Sequence, residues 1–162
     1  NGLHEAAAYN VAMAWAQKRD RAKVKEWKKR HRDIRQARLR LGGLRAQLAR
    51  RAGDPTVLRA IAELQSEFRN FDEAIGPWRA VTAANARDPE VRCQYARCLF
   101  HTGSFVEARQ QLEQVMGMDP NHAAAKALHQ RIMEEFHGGD APEIPGAEKK
   151  GVSNPGGVNG GS

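Results

Sequence analysis

The chain has 162 residues and a formal net charge of +7, with 41% apolar but only 6% aromatic residues. Helix formers (Ala, Arg, Gln, Glu) outnumber β-branched residues, so an all-α class follows before any motif is considered, and no run of 18 or more apolar residues is present to span a bilayer. The charge is uneven: residues 18–51 hold 15 Lys/Arg against 3 Asp/Glu, a balance of +12, and the remainder has a balance of −5.

Residues 1–20 read as an N-terminal helix, strongly propensity-driven by Ala6, Ala7, Ala8, Ala12, Ala14 and Ala16, with Tyr9, Val11, Met13 and Trp15 as its apolar surface. Residues 21–53 read as one long basic amphipathic helix and its terminator. Trp27, Ile34, Leu41 and Leu48 recur every seven residues, flanked by Val24 and Leu44, and the other faces carry Arg and Lys. Two adjacent glycines, Gly42-Gly43, cost roughly 2 kcal/mol of helix propensity against alanines, which predicts a kink or split there. Gly53 and Pro55 end the helix.

Asp54-Pro55 then recurs thirty-four residues later as Asp88-Pro89, in each case a capping carboxylate followed by a proline at the first helical position. A helix pair follows each. The first has Val57, Leu58, Ile61, Ala62, Leu64 and Phe68 on its first helix, a turn at 69–72 with Asp72 as cap, and Ala74, Ile75, Trp78, Val81 and Ala84 on its second. Gly76-Pro77 predicts a kink in that second helix. The other pair carries Val91, Tyr95, Ala96, Leu99 and Phe100, turns at Gly103, and continues with Ala108, Leu112, Val115 and Met116 until Gly117 and Pro120 stop it. Residues 123–137 form a closing helix through Ala124, Leu128, Ile132 and Met133, and 138–162 are Gly/Pro/Ser-rich and expected to be a flexible tail.

A fixed period of about 34 residues built from paired helices resembles the tetratricopeptide repeat family, with repeat 1 at 55–88, repeat 2 at 89–122 and the closing helix after them. Ala96, Gly103, Phe105, Ala108, Leu112, Val115 and Pro120 stand at the family's small, turn, aromatic and packing positions, and Leu58, Ala62, Phe71, Ala74, Trp78 and Val81 at the matching ones of repeat 1. Arg69 and Ala86 depart from the turn glycine and closing proline. Val11, Ala12, Trp15 and Asp20 resemble part of a degenerate upstream repeat. The resemblance implies a right-handed helical-hairpin solenoid acting as a non-enzymatic scaffold or adaptor for protein partners, the C-terminal part or a subunit of a larger assembly. It further implies a concave face bearing Arg59, Glu63, Cys93, Arg97, His101 and Arg131, on which three arginines would hold an acidic peptide segment or helix through bidentate bonds. Cys93 stands where a clamp on a C-terminal carboxylate would want Asn or Lys, so that subclass is not expected.

The basic arm (Lys25, Lys28, Lys29, Arg32 and Arg35 within 18–51) supports a second reading, a nucleic-acid-binding accessory protein; a third is a helical domain of a larger enzyme, since Asn1 in place of Met is consistent with a piece of something longer. Within the sequence stand no phosphate-binding loop, no His-Glu-x-x-His, no Gly-x-Ser-x-Gly and no Cys-x-x-Cys. No enzyme activity, cofactor or metal is therefore expected. Cys93 and Cys98, five apart on one helix, point to different faces and are read as buried free thiols, which fits a reducing, cytoplasmic setting.

Overall fold

The computed structural model describes residues 4–137, which form seven helices: α1 (Glu5–Gln17), α2 (Arg21–Arg50), α3 (Pro55–Glu67), α4 (Phe71–Ala84), α5 (Pro89–His101), α6 (Phe105–Met118) and α7 (Ala123–His137). Among the described residues there is no strand. The tail expected over 138–162 lies outside them. Each helix packs on the next in chain order, and α5 also touches α7.

The two regular hairpins begin alike. Asp54 Oδ1 accepts from the backbone N–H groups of Thr56 at 2.9 Å and Val57 at 3.3 Å, and Asp88 Oδ1 from those of Glu90 at 3.0 Å and Val91 at 3.1 Å. Each carboxylate thus satisfies two donors that a helix start leaves without intrahelical partners. Both hairpins turn through a left-handed residue: Gly103 at φ +82°, and Arg69 at φ +57° in the place of the expected glycine. A side chain in that conformation costs roughly 1–2 kcal/mol. It is held by hydrogen bonds on either side, from Arg69 N–H to Ser66 O at 3.0 Å and from Asn70 N–H to Gln65 O at 2.8 Å. The buried Asn70 Nδ2 also donates to Gln65 Oε1 at 2.8 Å. These bonds start α4 at Phe71, so Asn70 stands at the cap position and Asp72, expected there, lies inside the first turn. Gly117, expected as a stop, is likewise inside α6, which ends at Met118 with Asp119 as its cap.

One core runs through α3 to α7 around Trp78, Leu99, Leu112 and Ile132, with Ala62, Ala74, Ala96, Ala108 and Ala125 fully buried where helices cross closely. A second, smaller cluster joins the latter half of α2 to α3 through Ala37, Leu41, Val57, Ile61 and Leu64, with Leu44, Leu48 and Phe68 packed against it. That cluster explains why α2 continues unbroken through Gly42-Gly43 rather than splitting there. Burying one leucine contributes about 1.5–3 kcal/mol, and three flank the glycines. This exceeds the roughly 2 kcal/mol propensity deficit. α4 likewise continues without a break through Gly76-Pro77.

The α1–α2 pair repeats the geometry of the other two hairpins at its turn. α1, α3 and α5 are each 13 residues long, and Arg19 adopts φ +57° just as Arg69 does fifty residues later. Ala12, Ala62 and Ala96 fall at the same place in their helices and all are buried. The difference lies in the second helix. α2 has 30 residues where α4 and α6 have 14, sixteen more, or about 24 Å of additional length. Its first half packs on α1 and its second half on α3, so α1 is carried away from the stack that begins at α3.

Candidate partner-binding face

The first helices of the hairpins, α3 and α5, and the closing helix α7 place their outward residues on one wall. Glu63, Arg97 and Arg131 stand thirty-four residues apart, at the same register of α3, α5 and α7. Two adjoining depressions follow that wall. One, of about 220 Å³, lies between α3 and α5 and is lined by Arg59, Glu63, Glu67, Glu90, Gln94 and Arg97 with others. The next, of about 290 Å³, lies between α5 and α7 and is lined by Cys93, Gln94, Arg97, His101, Leu128 and Arg131 with two alanines. Gln94 and Arg97 belong to both. All six residues picked out on the expected concave face therefore line one or other depression.

Their electrostatics are not what a row of three free arginines would give. Arg59 Nε donates to Glu63 Oε1 at 2.9 Å, and its Nη1 lies 3.9 Å from Asp88. Its charge is spoken for, and its pKa is raised, first by the bond to Glu63. With Glu67 and Glu90 nearby, the α3 end of the wall is acidic. At the α7 end, no carboxylate among the described residues lies within 4.0 Å of Arg97 or Arg131; the arginine ion pairs of α3 to α6 run instead through Arg59, Arg79 and Arg109. Arg131 lies over the Phe100 ring at 4.9 Å.

His101 sits between these arginines. Its imidazole stacks on Phe71 at 4.1 Å between centroids with 13° between planes, and meets Phe100 edge-on at 5.4 Å. Burial lowers its pKa most, and the positive charges of Arg69, Arg131 and Arg97 lower it further. Arg69 is thus a member of the cluster that the sequence did not reveal. Its guanidinium lies 6.0 Å from the Phe71 ring centre, and in the sequence it registers only as an irregular turn residue.

Cys93 is buried although it lines the α5–α7 depression, and its thiol is pushed up to about 11, mainly by burial. Cys98 is also buried and free, and its pKa is raised by burial against an opposing bond to Ser66. Burial thus disfavours the thiolate form of both. Beneath the wall, Ser66 links three helices: its Oγ donates to Ala62 O at 2.8 Å, accepts from Trp78 Nε1 at 3.0 Å, and lies 3.4 Å from Cys98 Sγ. Among the described residues no group of three His, Cys, Asp or Glu is placed to hold a metal ion, and no helix is long and apolar enough to cross a membrane. His122 pairs with Glu90 at 3.4 Å. Lys25, Lys28, Lys29, Arg32 and Arg35 are all exposed on α2, away from the α3–α5–α7 wall, and among the described residues only Lys29 is near a carboxylate, 4.0 Å from Asp33.

Residues 79–132 match the tetratricopeptide repeat family model. Among solved structures the chain is similar to MamA from AMB-1, with 18% identity and a TM-score of 0.56 over 80% of this chain and 62% of that one. It is also similar to MamA from MSR-1, with 13% identity and a TM-score of 0.60 over 83% of this chain and 88% of that one. At those identities the likeness is one of fold. No curated protein sequence matches.

Proposed function

From the premise that this chain is a tetratricopeptide-type helical solenoid, a fold that is typically non-catalytic, we propose that it is a non-enzymatic adaptor whose α3–α5–α7 wall holds an acidic peptide segment or helix of a protein partner. The observation that carries this reading is the polarity of the wall. Arg59 is neutralised by Glu63 and Asp88 at one end, and at the other Arg97 and Arg131 line the same depression as His101, with Arg69 over the Phe71 ring that stacks on it; burial first and these charges next depress the histidine's pKa. Like charges gathered without counter-charges repel, and a carboxylate placed among them relieves that repulsion while accepting paired guanidinium bonds. The acidic end would orient the segment by meeting its basic or neutral residues.

The test is site-specific photo-crosslinking from Gln94, which borders both depressions, with the same probe at the exposed Arg109 of α6 as control. A protein captured from Gln94 and not from Arg109, and lost in Arg97→Glu/Arg131→Glu with the fold intact, supports the reading. Equal capture from both positions, or capture indifferent to the charge reversals, overturns it.

A further inference from the structure

The groove leaves the basic arm unexplained, and the arm has an order of its own. Arg21, Lys25, Lys28, Arg32 and Arg35 follow one another at steps of four, three, four and three residues, so they form a single file along α2. All five are exposed. The file is about 21 Å long at 1.5 Å per residue, with about 5–6 Å between neighbours. No carboxylate among the described residues is within 4.0 Å of any of them; the ion pairs of α2 run instead through Lys29, His31, Arg38 and Arg45. Glu26 and Asp33, the acidic residues within α2, fall on the other side of the helix, and Asp20 is committed to capping through Lys23 N–H at 3.0 Å. Arg19, held in the left-handed turn, joins four of the five around an open depression of about 720 Å³.

We propose that this file is a docking ridge for the phosphate backbone of a nucleic acid, contacted without regard to base sequence. A duplex presents phosphates densely, about one per 3.4 Å of axis on each strand, so every cation of the ridge has an anion within reach. The apolar side of α2 argues against a bilayer as the occupant. Ile34, Ala37 and Leu41 are buried beneath neighbouring helices and Val24 and Trp27 are half-buried, so the helix has no broad free apolar face to insert. An acidic protein surface is disfavoured as well, because a protein interface needs an apolar centre, and beside the file only Leu39 of α2 is a large exposed apolar residue.

The experiment uses the full chain and a fluorescein-labelled mixed-sequence duplex of about 20 base pairs, read by anisotropy between about 50 and 200 mM salt. Five neutralised phosphates give a slope of log K against log salt near −4.5, at about −0.9 per phosphate. Lys25→Gln/Lys28→Gln/Arg32→Gln leaves two and moves the slope to about −1.8, with an unchanged melting curve because all three side chains are exposed. Arg97→Gln/Arg131→Gln, which disables the groove, leaves the salt slope at about −4.5, so the two sites fail or stand separately. No binding at about 50 mM salt overturns the proposal. So does a triple variant that keeps the parent slope, or a chain that binds phosphatidylserine vesicles and not the duplex.

Discussion

Ser66→Ala tests whether the three-helix junction beneath the wall is held by one hydroxyl. In the folded chain that oxygen accepts from the Trp78 indole at 3.0 Å, donates to Ala62 O at 2.8 Å and touches Cys98 Sγ at 3.4 Å. Trp78 is 1% exposed, so water cannot replace the lost acceptor. A buried donor left without a partner costs about 1–3 kcal/mol. For a chain of this size each kcal/mol lowers Tm by roughly 2–4 °C, so the expected drop is about 2–12 °C by circular dichroism. The control is the same substitution in a Trp78→Phe background. With no indole N–H to strand, Ser66→Ala becomes cheaper, and the two changes together cost less than the sum of each alone. A Tm that does not fall, or a fall of the same size in both backgrounds, refutes the reasoning.

Two further predictions concern the hairpin core and the histidine. Ala108 is fully buried at a close helix crossing, so Ala108→Arg forces a charge and a long side chain into the core and unfolds the second hairpin, seen as loss of helicity; parent helicity and Tm would contradict it. His101 has a folded pKa below its ordinary 6.5, set by burial and then by Arg69, Arg131 and Arg97. Its contribution to stability is therefore full above about pH 6.5 and lost as pH falls through the depressed folded value. Imidazole NMR should titrate below 6.5, with Arg131→Gln raising the midpoint; a midpoint at or above 6.5 in the parent would count against the cluster.

What the sequence made legible was whatever depends on local chemistry with a fixed period. Asp54-Pro55 and Asp88-Pro89 are helix starts that two backbone bonds explain, and Ala96, Gly103, Ala108, Leu112 and Val115 do in space what their spacing implied. The misreadings arise where tertiary structure or a rare conformation decides. Gly42-Gly43 weaken a helix on propensity, yet α2 stays helical through them, with leucines on either side packed against α3. Asn70 and Asp72 both make good caps, and the choice between them was made by Arg69 adopting a conformation that arginine seldom takes. The second partner of Arg59, Asp88, was not readable, because it comes near only once the α4–α5 connection has closed. Its first partner, Glu63, was readable at the i+4 position.

The long α2 also sets a hierarchy of stability. Because it carries α1 about 24 Å along its axis, α1 packs mainly on α2 and is not sandwiched as α3 to α6 are. Its fully buried residues are two alanines, Ala8 and Ala12, and Tyr9 is 52% exposed. Apolar burial scales with area, and alanines supply little of it. Polar contacts supplement this: Glu5 lies 3.3 Å from His31 and 3.4 Å from Arg38, and Tyr9 meets His31 at 5.8 Å between ring centroids. Such half-exposed ion pairs contribute about 0–1 kcal/mol each. The expected consequence is local opening of α1 at a free energy well below that of the α3–α6 core. In native-state hydrogen exchange, α1 amides should exchange at least about tenfold faster than those of α5, a difference of roughly 1.4 kcal/mol. Glu5→Gln should widen the gap while leaving α5 unchanged. Equal protection of α1 and α5 would mean that the hairpin folds as one unit with the stack, and that the extension in α2 does not uncouple it.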